Sequence, residues 1–299
     1  MKCRGEGIFL GAQRQGEPCM KKKSSNFITI LLVLIFLAGL SLLLYPSVSD
    51  YWNSFHQSKA ITQYAEQVAI LDENQYGELW DAAADYNASL KDSTNHYILS
   101  DTQKHAYEQL LNVSNTGVMG YIEIPSIQCS LPIYHGTEES VLQIAVGHLE
   151  WTSLPVGGES THCVLSGHRA LPSAKLFTDL DKIVVGDVFM LQILDEVLTY
   201  EVDQILIVEP QETADLQIIE GQDHCTLVTC TPYGINTHRL LVRGHRIDNL
   251  PEAKMVHVTA DAVQIEPMIV APIAAIPMLL VLLVALIIPR HKKQEEEDS

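Results

Sequence analysis

Two long apolar runs lie near the two ends of the chain. The first, from Phe27 to Tyr45, contains no charged residue and ends at Pro46, and the second extends from Met268 to Ile288. Each run is close to the roughly 20 residues that cross a bilayer as a helix. The pattern therefore predicts two transmembrane helices with a domain of more than 200 residues between them.

The flanking charges predict the orientation of these helices. Lysines occupy positions 21–23 before the first run, and basic residues follow the second run at positions 290, 292 and 293. Positive residues stay on the cytoplasmic side, so both termini are expected in the cytoplasm and the intervening part outside the cell. No small-x-small cleavage site follows the first run, which favours an uncleaved anchor over a signal peptide. Met20 directly precedes the lysines and is an alternative start to Met1.

The sequence pattern between the two predicted spans changes at Gly117. Before it the chain is polar and helix-like, with apolar residues at helical spacing from Ile61 to Leu71. After it come short β-rich runs punctuated by Gly and Pro, which suggest a barrel or a sandwich. The predicted strands are 119–124, 127–134, 162–166, 188–193, 199–208, 225–230 and 240–247.

The predicted divisions of the whole chain are a cytoplasmic N-terminus 1–26, a transmembrane helix 27–45, a helical pre-barrel segment 46–116, a β-rich domain 117–248, a linker 249–267, a transmembrane helix 268–288 and a cytoplasmic tail 289–299.

The distribution of charge along the chain excludes some classes of binding partner. The formal net charge is -18, yet the residues before Phe27 hold six Lys and Arg against two acidic residues, so the negative charge belongs to the exported part. An acidic exported domain repels polyanions, which argues against nucleic acid and against an anionic lipid surface as its partner.

One hairpin carries the main candidate chemistry. Thr226 to Cys230 and Leu240 to Val242 have the composition of strands, and the loop between them contains Pro232, which suits the second position of a type I turn. An antiparallel pair would place Cys230 at the end of one strand opposite Arg239 at the start of the next. A positive group beside a thiol favours the thiolate or holds an oxyanion, so this pair indicates a nucleophilic cysteine.

Three other cysteines fall in the exported part, namely Cys129, Cys163 and Cys225. Cys163 and Cys225 lie inside apolar strands, which is typical of small buried side chains, and the sequence defines no disulfide pairing. The dipeptides His162-Cys163 and His224-Cys225 lack the spacing of zinc ligands, because adjacent side chains on a strand point to opposite faces. We therefore expect no metal, and no cofactor, since neither a P-loop nor a dinucleotide fingerprint is present.

His168 is the candidate partner of the cysteine. It follows the strand Val164 to Ser166, and Gly167 between them lets the backbone turn. A histidine and a cysteine at strand ends can converge at one edge of a barrel, where such a pair performs thiol acyl transfer. His148, in Gly-His-Leu-Glu, is the closest competitor.

At these residues the chain resembles the sortases, membrane-anchored cysteine transpeptidases of Gram-positive bacteria. Thr-Leu-Val-Thr-Cys230 is similar to the T-L-x-T-C signature of the family, Ser-Gly-His168 to its histidine segment, and Asn-Thr-His-Arg239 to its arginine position. The similarity extends from about Gly117 to Ile247. Together with the second apolar run it resembles class C, the pilin-polymerising branch.

The resemblance implies a mostly β fold, a closed sortase-like barrel with short helices, which makes residues 117–248 the catalytic domain. It implies that Cys230 attacks the Thr–Gly carbonyl of an LPXTG-like sorting signal to give a thioacyl enzyme. His168 would act as general acid and then base, and Arg239 would stabilise the oxyanion or hold the substrate. The expected partners are LPXTG-bearing surface proteins or pilin subunits, an amine acceptor and the lipid bilayer. The acceptor amine is a pilin lysine in class C.

One departure from the class concerns its lid. Many class C sortases close their cleft with an Asp-Pro-aromatic motif from the segment before the barrel. Between Asn87 and Asn115 the chain has only Asp92-Ser-Thr and Asp101-Thr-Gln, so no lid residue is assigned.

Three other functions remain open on sequence alone. A housekeeping sortase would transfer the same acyl group to a peptidoglycan stem peptide. An exported cysteine protease would pass it to water. A non-enzymatic surface protein would need its own sorting signal before the last span, where the chain instead reads Gln264-Ile-Glu-Pro267.

Overall fold

The structure is a computed structural model and describes residues 25–90 and 99–249. The helices are α1 Ser25–Val68, α2 Glu73–Leu90, α3 Asp101–Gln109 and α4 Glu139–Leu142. The strands are β1 Val118–Ile124, β2 Cys129–His135, β3 Val146–His148, β4 Thr161–Ser166, β5 Val188–Ile193, β6 Glu196–Val208, β7 Asp223–Thr231 and β8 His238–Ile247. Short 3₁₀ turns lie at Pro125–Ile127, Leu180–Lys182 and Ala214–Leu216.

The strands form a closed barrel in the order β1-β2-β3-β4-β7-β8-β6-β5. The pairs β2–β3 and β4–β7 are parallel, and the other pairs are antiparallel. Closure leaves no free sheet edge, which is how β proteins of this size avoid edge-to-edge association. The predicted mostly β, closed barrel is confirmed.

The barrel interior is filled by large apolar side chains from all sides. Ile122, Ile133, Leu165, Phe189 and Leu227 are among those that are fully buried. Fully burying side chains of this size stabilises a fold by about 1.5–3 kcal/mol each relative to exposure. The core therefore holds the strands, and with them the residues at the strand ends, in fixed register.

The helices before the barrel pack on its outside through buried hydrogen bonds. The Tyr64 hydroxyl on α1 donates to the Met119 carbonyl at 2.9 Å and accepts from the Leu194 amide at 2.7 Å. The Asn87 side chain on α2 bonds both the amide and the carbonyl of Leu154. Each bond satisfies a backbone group that would otherwise be costly to bury.

The structure differs from the sequence predictions at a short strand and at the first helix. It adds β3, a strand of three residues that is too short to produce a recognisable pattern. It also continues α1 as one helix through Pro46, so no helix end marks the predicted boundary at residue 45. Residues up to Leu42 belong to one compact unit and the chain from Leu43 to Asn249 belongs to another.

The helix α1 is long and apolar enough to cross a membrane from Ile30 onward, by length and composition. The second predicted span, 268–288, lies outside the described residues, as do almost all of the linker and both predicted cytoplasmic segments.

Candidate active site

Cys230 and Arg239 lie directly opposite each other in the antiparallel β7–β8 hairpin. Directly opposed residues project to the same face of a sheet with Cβ atoms about 5 Å apart. Both residues are partly exposed. The Arg239 guanidinium also donates to the carbonyls of Asn236 and His238, at 3.4 and 3.2 Å, so the turn that follows Cys230 orients it. The hairpin predicted from the sequence is confirmed.

The turn inside this hairpin begins one residue later than predicted. The Pro232 carbonyl accepts hydrogen bonds from the amides of Ile235 and Asn236, so Pro232 occupies the first position of the turn and not the second. Gly234 and Asn236 both have positive φ, at 73° and 61°. Glycine and asparagine are the residues that adopt this conformation at least cost, which explains why the chain can turn here.

His168 leaves the barrel at the same edge as Cys230 because β4 and β7 run parallel. Their last paired residues are Ser166 and Val228, and His168 and Cys230 each come two residues later. Two further bonds extend this pairing beyond the strands, from the Gly167 amide to the Val228 carbonyl at 3.0 Å and from the Thr229 hydroxyl to the Gly167 carbonyl at 2.7 Å. The structure thus brings all three candidate residues to one edge.

The backbone at Gly167 fits closely against a buried aromatic ring. A Cβ at this position would lie 2.6 Å from Cδ2 of Phe177, whose ring is fully buried. The Phe177 amide in turn donates to the His168 carbonyl at 3.1 Å. The segment after β4 therefore folds back onto the histidine, and the absence of a side chain at Gly167 permits this.

A carboxylate faces the imidazole of His168. Glu139 Oε2, on α4, lies 3.6 Å from His168 Nε2. The pKa of Glu139 is lowered, first by a hydrogen bond from Gln143 and then by His168. Glu139 is mostly exposed, so its attraction for a protonated imidazole is screened by water. Sequence reasoning missed this residue, since only the folded chain places α4 beside the end of β4.

Arg169 connects the segments that follow the two candidate catalytic residues, and sequence reasoning missed it too. Its side chain is only 8% exposed and forms an ion pair with Asp181. Its Nη1 atom donates to the Thr231 hydroxyl at 3.5 Å, and its guanidinium lies 5.7 Å from the ring centroid of Tyr233. A planar guanidinium that pairs and stacks at once fixes the geometry of its neighbours more closely than an ammonium would. The only sequence signal was its position directly after His168.

His148, the competing histidine, is fully buried. Its Nε2 donates to the Ser153 carbonyl, and its Nδ1 accepts from the Tyr107 hydroxyl, both at 2.9 Å. With both ring nitrogens bonded inside the protein, it acts as a structural residue that ties α3 to the barrel.

The remaining described cysteines, Cys129, Cys163 and Cys225, are free thiols. Cys163 and Cys225 are buried and directly paired across β4 and β7. Burial raises the pKa of Cys225 well above its usual value, which keeps this thiol neutral. The rings of His162 and His224 meet edge to face on the other side of the strands, with centroids 5.5 Å apart, as strand alternation requires.

Of the two aspartates considered for a lid, one lies outside the described residues. Asp92 lies in the undescribed range 91–98. Asp101 begins α3 in the first turn, directly after the capping residue Ser100. A negative residue at that position stabilises the helix terminus, so the structure gives Asp101 a local role.

Known proteins share this architecture. The profile of the sortase domain matches residues 122–247. A solved sortase C1 of Streptococcus agalactiae is 53% identical, with 64% of this chain and 100% of that chain covered and a TM-score of 0.63. This chain belongs to the sortase family. Since this solved relative is a sortase C, the chain is a class C sortase and a transpeptidase.

Other relatives agree with the assignment to the sortase family. A Clostridium perfringens sortase C structure is 47% identical to this sortase, with 64% of this chain and 100% of the other covered and a TM-score of 0.57. The sortase C of Streptococcus pneumoniae is 45% identical, with 64% and 97% covered and a TM-score of 0.56. Among curated proteins, sortase A of Streptococcus agalactiae is 25% identical over 218 residues, which are 71% of this chain and 83% of the relative.

Proposed function

We propose that this sortase cleaves an LPXTG-like sorting signal with Cys230 and passes the acyl group to a lysine amine of a pilin subunit. The observation that carries the proposal is the convergence of Cys230, Arg239 and His168 at one edge of the barrel. It supplies a nucleophile, a cation beside it and a proton carrier, which are the groups that thiol acyl transfer needs.

In the first half-reaction the Cys230 sulfur, as thiolate, attacks the Thr carbonyl carbon and a C–S bond forms. Negative charge develops on the carbonyl oxygen, where the Arg239 guanidinium stabilises it. The C–N bond to glycine then breaks, and His168 gives its proton to the leaving amine. A thioacyl enzyme remains.

In the second half-reaction the acceptor amine attacks the thioester. His168, now neutral, takes a proton from that amine, the C–S bond breaks, and Cys230 leaves as thiolate. The product is an amide, or an isopeptide bond when the amine belongs to a lysine. The proton count is unchanged over the cycle.

The pilin role rests on the relatives. The Streptococcus pneumoniae structure is described in terms of pilin substrate specificity, and a Streptococcus agalactiae relative comes from a pilus island. The Clostridium perfringens structure contains a C-terminal cell wall sorting motif. We extend these properties to this sortase, and we place it in the membrane through α1 and the predicted span 268–288, with both termini cytoplasmic and the barrel outside.

The mechanism is tested with the purified full chain and a soluble LPXTG peptide, following the acyl enzyme by mass spectrometry. Cys230→Ala should abolish the acyl enzyme, whereas Cys225→Ala, in the same strand, should retain it. His168→Ala and Arg239→Ala should each slow acylation by a factor on the order of 10²–10⁴. An active Cys230→Ala variant would refute the assignment of the nucleophile.

The acceptor is tested by competition. The acyl enzyme is offered a lysine-containing pilin peptide, a peptidoglycan stem peptide and water. Preferred transfer to the pilin lysine supports polymerisation, preferred transfer to the stem peptide supports the housekeeping function, and hydrolysis that amines do not affect indicates a protease.

A further inference from the structure

One face of α1 is bonded to segments around the candidate active site. The Asp50 carboxylate accepts from the Lys175 amide at 2.7 Å, and the Asn53 side chain donates to the Ser173 carbonyl at 2.8 Å. One turn later the Gln57 side chain donates to the Ile144 carbonyl at 2.7 Å. Ser173 and Lys175 lie in the segment after His168. These turns of α1 are therefore fixed to the catalytic domain.

The opposite face of the same turns is apolar and exposed. Tyr45, Val48, Trp52 and Phe55 follow one another at spacings of three, four and three residues, which places them in one stripe along a helix. Their exposed fractions are 57%, 62%, 63% and 59%. We call these four residues the aromatic stripe. A hundred degrees of rotation per residue puts the stripe roughly opposite Asp50, Asn53 and Gln57.

The stripe continues the apolar run that is proposed to enter the membrane. No charged residue occurs between Lys23 and Asp50, and the carboxylate of Asp50 is turned toward the catalytic domain. The part of α1 from Ser25 to Ser49 has 25 residues and is about 38 Å long at 1.5 Å per residue. This exceeds a hydrocarbon core of about 30 Å, so its outer turns reach the headgroup layer.

The chemistry of the stripe fits that layer. Tyrosine and tryptophan are enriched at membrane interfaces, where an apolar ring and a polar group are both accommodated. Lys59, exposed and four residues after Phe55, ends the stripe with a cation that can reach lipid phosphates. Large exposed apolar patches are uncommon on proteins that have no partner there.

We propose that the aromatic stripe is seated in the headgroup layer of the membrane and that the opposite face of α1 holds the segment after His168 at this surface. The inference rests on the proposed membrane anchoring. A sorting signal of a membrane-tethered substrate would then meet the active site at the surface from which it emerges.

The position of the stripe is measured with a single tryptophan. In the full chain, Trp80→Phe with Trp151→Phe leaves Trp52, and Trp52→Phe with Trp151→Phe leaves Trp80 as the matched control. Both variants are reconstituted in vesicles of phosphatidylcholine and phosphatidylglycerol with brominated acyl chains. Trp52 emission should be quenched by the brominated lipid and protected from aqueous acrylamide, whereas Trp80 should not be quenched by the lipid.

Other outcomes of this measurement overturn the inference in distinct ways. Alkaline carbonate extraction of the chain from the vesicles would refute the membrane anchoring as well. A chain that stays in the membrane while acrylamide quenches Trp52 would refute the seating of the stripe alone. Trp52 shielded from both quenchers would mean that a second copy or residues 268–288 cover the stripe, which also contradicts the proposal.

The functional consequence is tested by comparing two forms of one substrate. Trp52→Ser with Phe55→Ser should lower kcat/KM on a vesicle-tethered LPXTG substrate on the order of tenfold and leave turnover of the soluble LPXTG peptide within twofold. Ile70→Ser, at an exposed apolar site outside the stripe, should change neither. Equal losses on both substrates, or no loss on either, would contradict the inference.

Discussion

Gly167→Ala should damage the enzyme, although it adds only one methyl group. The new Cβ would lie 2.6, 2.9 and 3.1 Å from three ring carbons of Phe177. That ring is fully buried, so it cannot swing into solvent to relieve the clash. Overpacking of this kind costs about 1–3 kcal/mol in free energy of unfolding. The entropic benefit of alanine over glycine, about 0.4–1 kcal/mol, is smaller and does not offset it.

The clash should also lower the rate of acyl-enzyme formation, because His168 is the next residue. The chain can relieve the contact by moving the backbone at Gly167, and a misplacement of about 1 Å in a catalytic group can cost about 100-fold in rate. We expect a loss of 10- to 100-fold in the rate of acyl-enzyme formation with a soluble peptide. Urea unfolding of the purified chain in detergent measures the stability.

Two further variants isolate the cause. Gly77→Ala makes the same change in α2, where nothing beyond the helix's own backbone lies within 4 Å of the new Cβ, and should stabilise the helix by about 0.5–1 kcal/mol without loss of activity. Adding Phe177→Leu to Gly167→Ala should recover part of the acylation rate, since it removes the ring that clashes. A Gly167→Ala enzyme with unchanged stability and rate would show that the contact does not constrain His168.

Three other predictions follow from buried contacts. Tyr64→Phe leaves the Met119 carbonyl and the Leu194 amide without their buried partner, and should lower the free energy of unfolding by about 1–3 kcal/mol; an unchanged urea midpoint would contradict this. Burial lowers the pKa of His162 from 6.5 to about 4. The unfolded chain therefore takes up this proton first as the pH falls, and up to about 3 kcal/mol of stability should be lost between pH 6.5 and 4. In His162→Gln the free energy of unfolding should fall less steeply over this pH range. Parallel curves of stability against pH for the two proteins would contradict the prediction. Arg169→Lys keeps the positive charge but loses the planar guanidinium, and should slow acyl-enzyme formation about tenfold. A rate equal to that of the unchanged enzyme would exclude a positioning role for Arg169.

The hairpin of the candidate site could be predicted from the sequence because it is local. Strand residues, turn residues and strand residues follow each other within Thr226 to Val242, and the observed register pairs Cys230 with Arg239. The turn was misplaced by one residue, since Pro232 is compatible with several turn positions and only the hydrogen bonds distinguish them.

The long-range contacts could not be predicted in the same way. The parallel pairing of β4 with β7 joins residues about 60 positions apart, and no pattern within either strand specifies that partner. The ion pair of Arg169 with Asp181 and the approach of Glu139 to His168 depend on loops whose paths follow from packing. A resemblance to known sequences supplied His168, whereas physical pattern alone left His148 as a competitor.

The bonds from α1 have a practical consequence for soluble forms of the enzyme used to screen inhibitors. A shortened chain that begins after Gln57 would still contain Tyr64 and could fold its barrel, but the carbonyls of Ser173 and Ile144 and the amide of Lys175 would lose their partners. The segment after His168 would then sample more conformations than it does beside α1. Inhibitor affinities measured on such a form would include the cost of ordering that segment, so the choice of first residue becomes a variable of the assay.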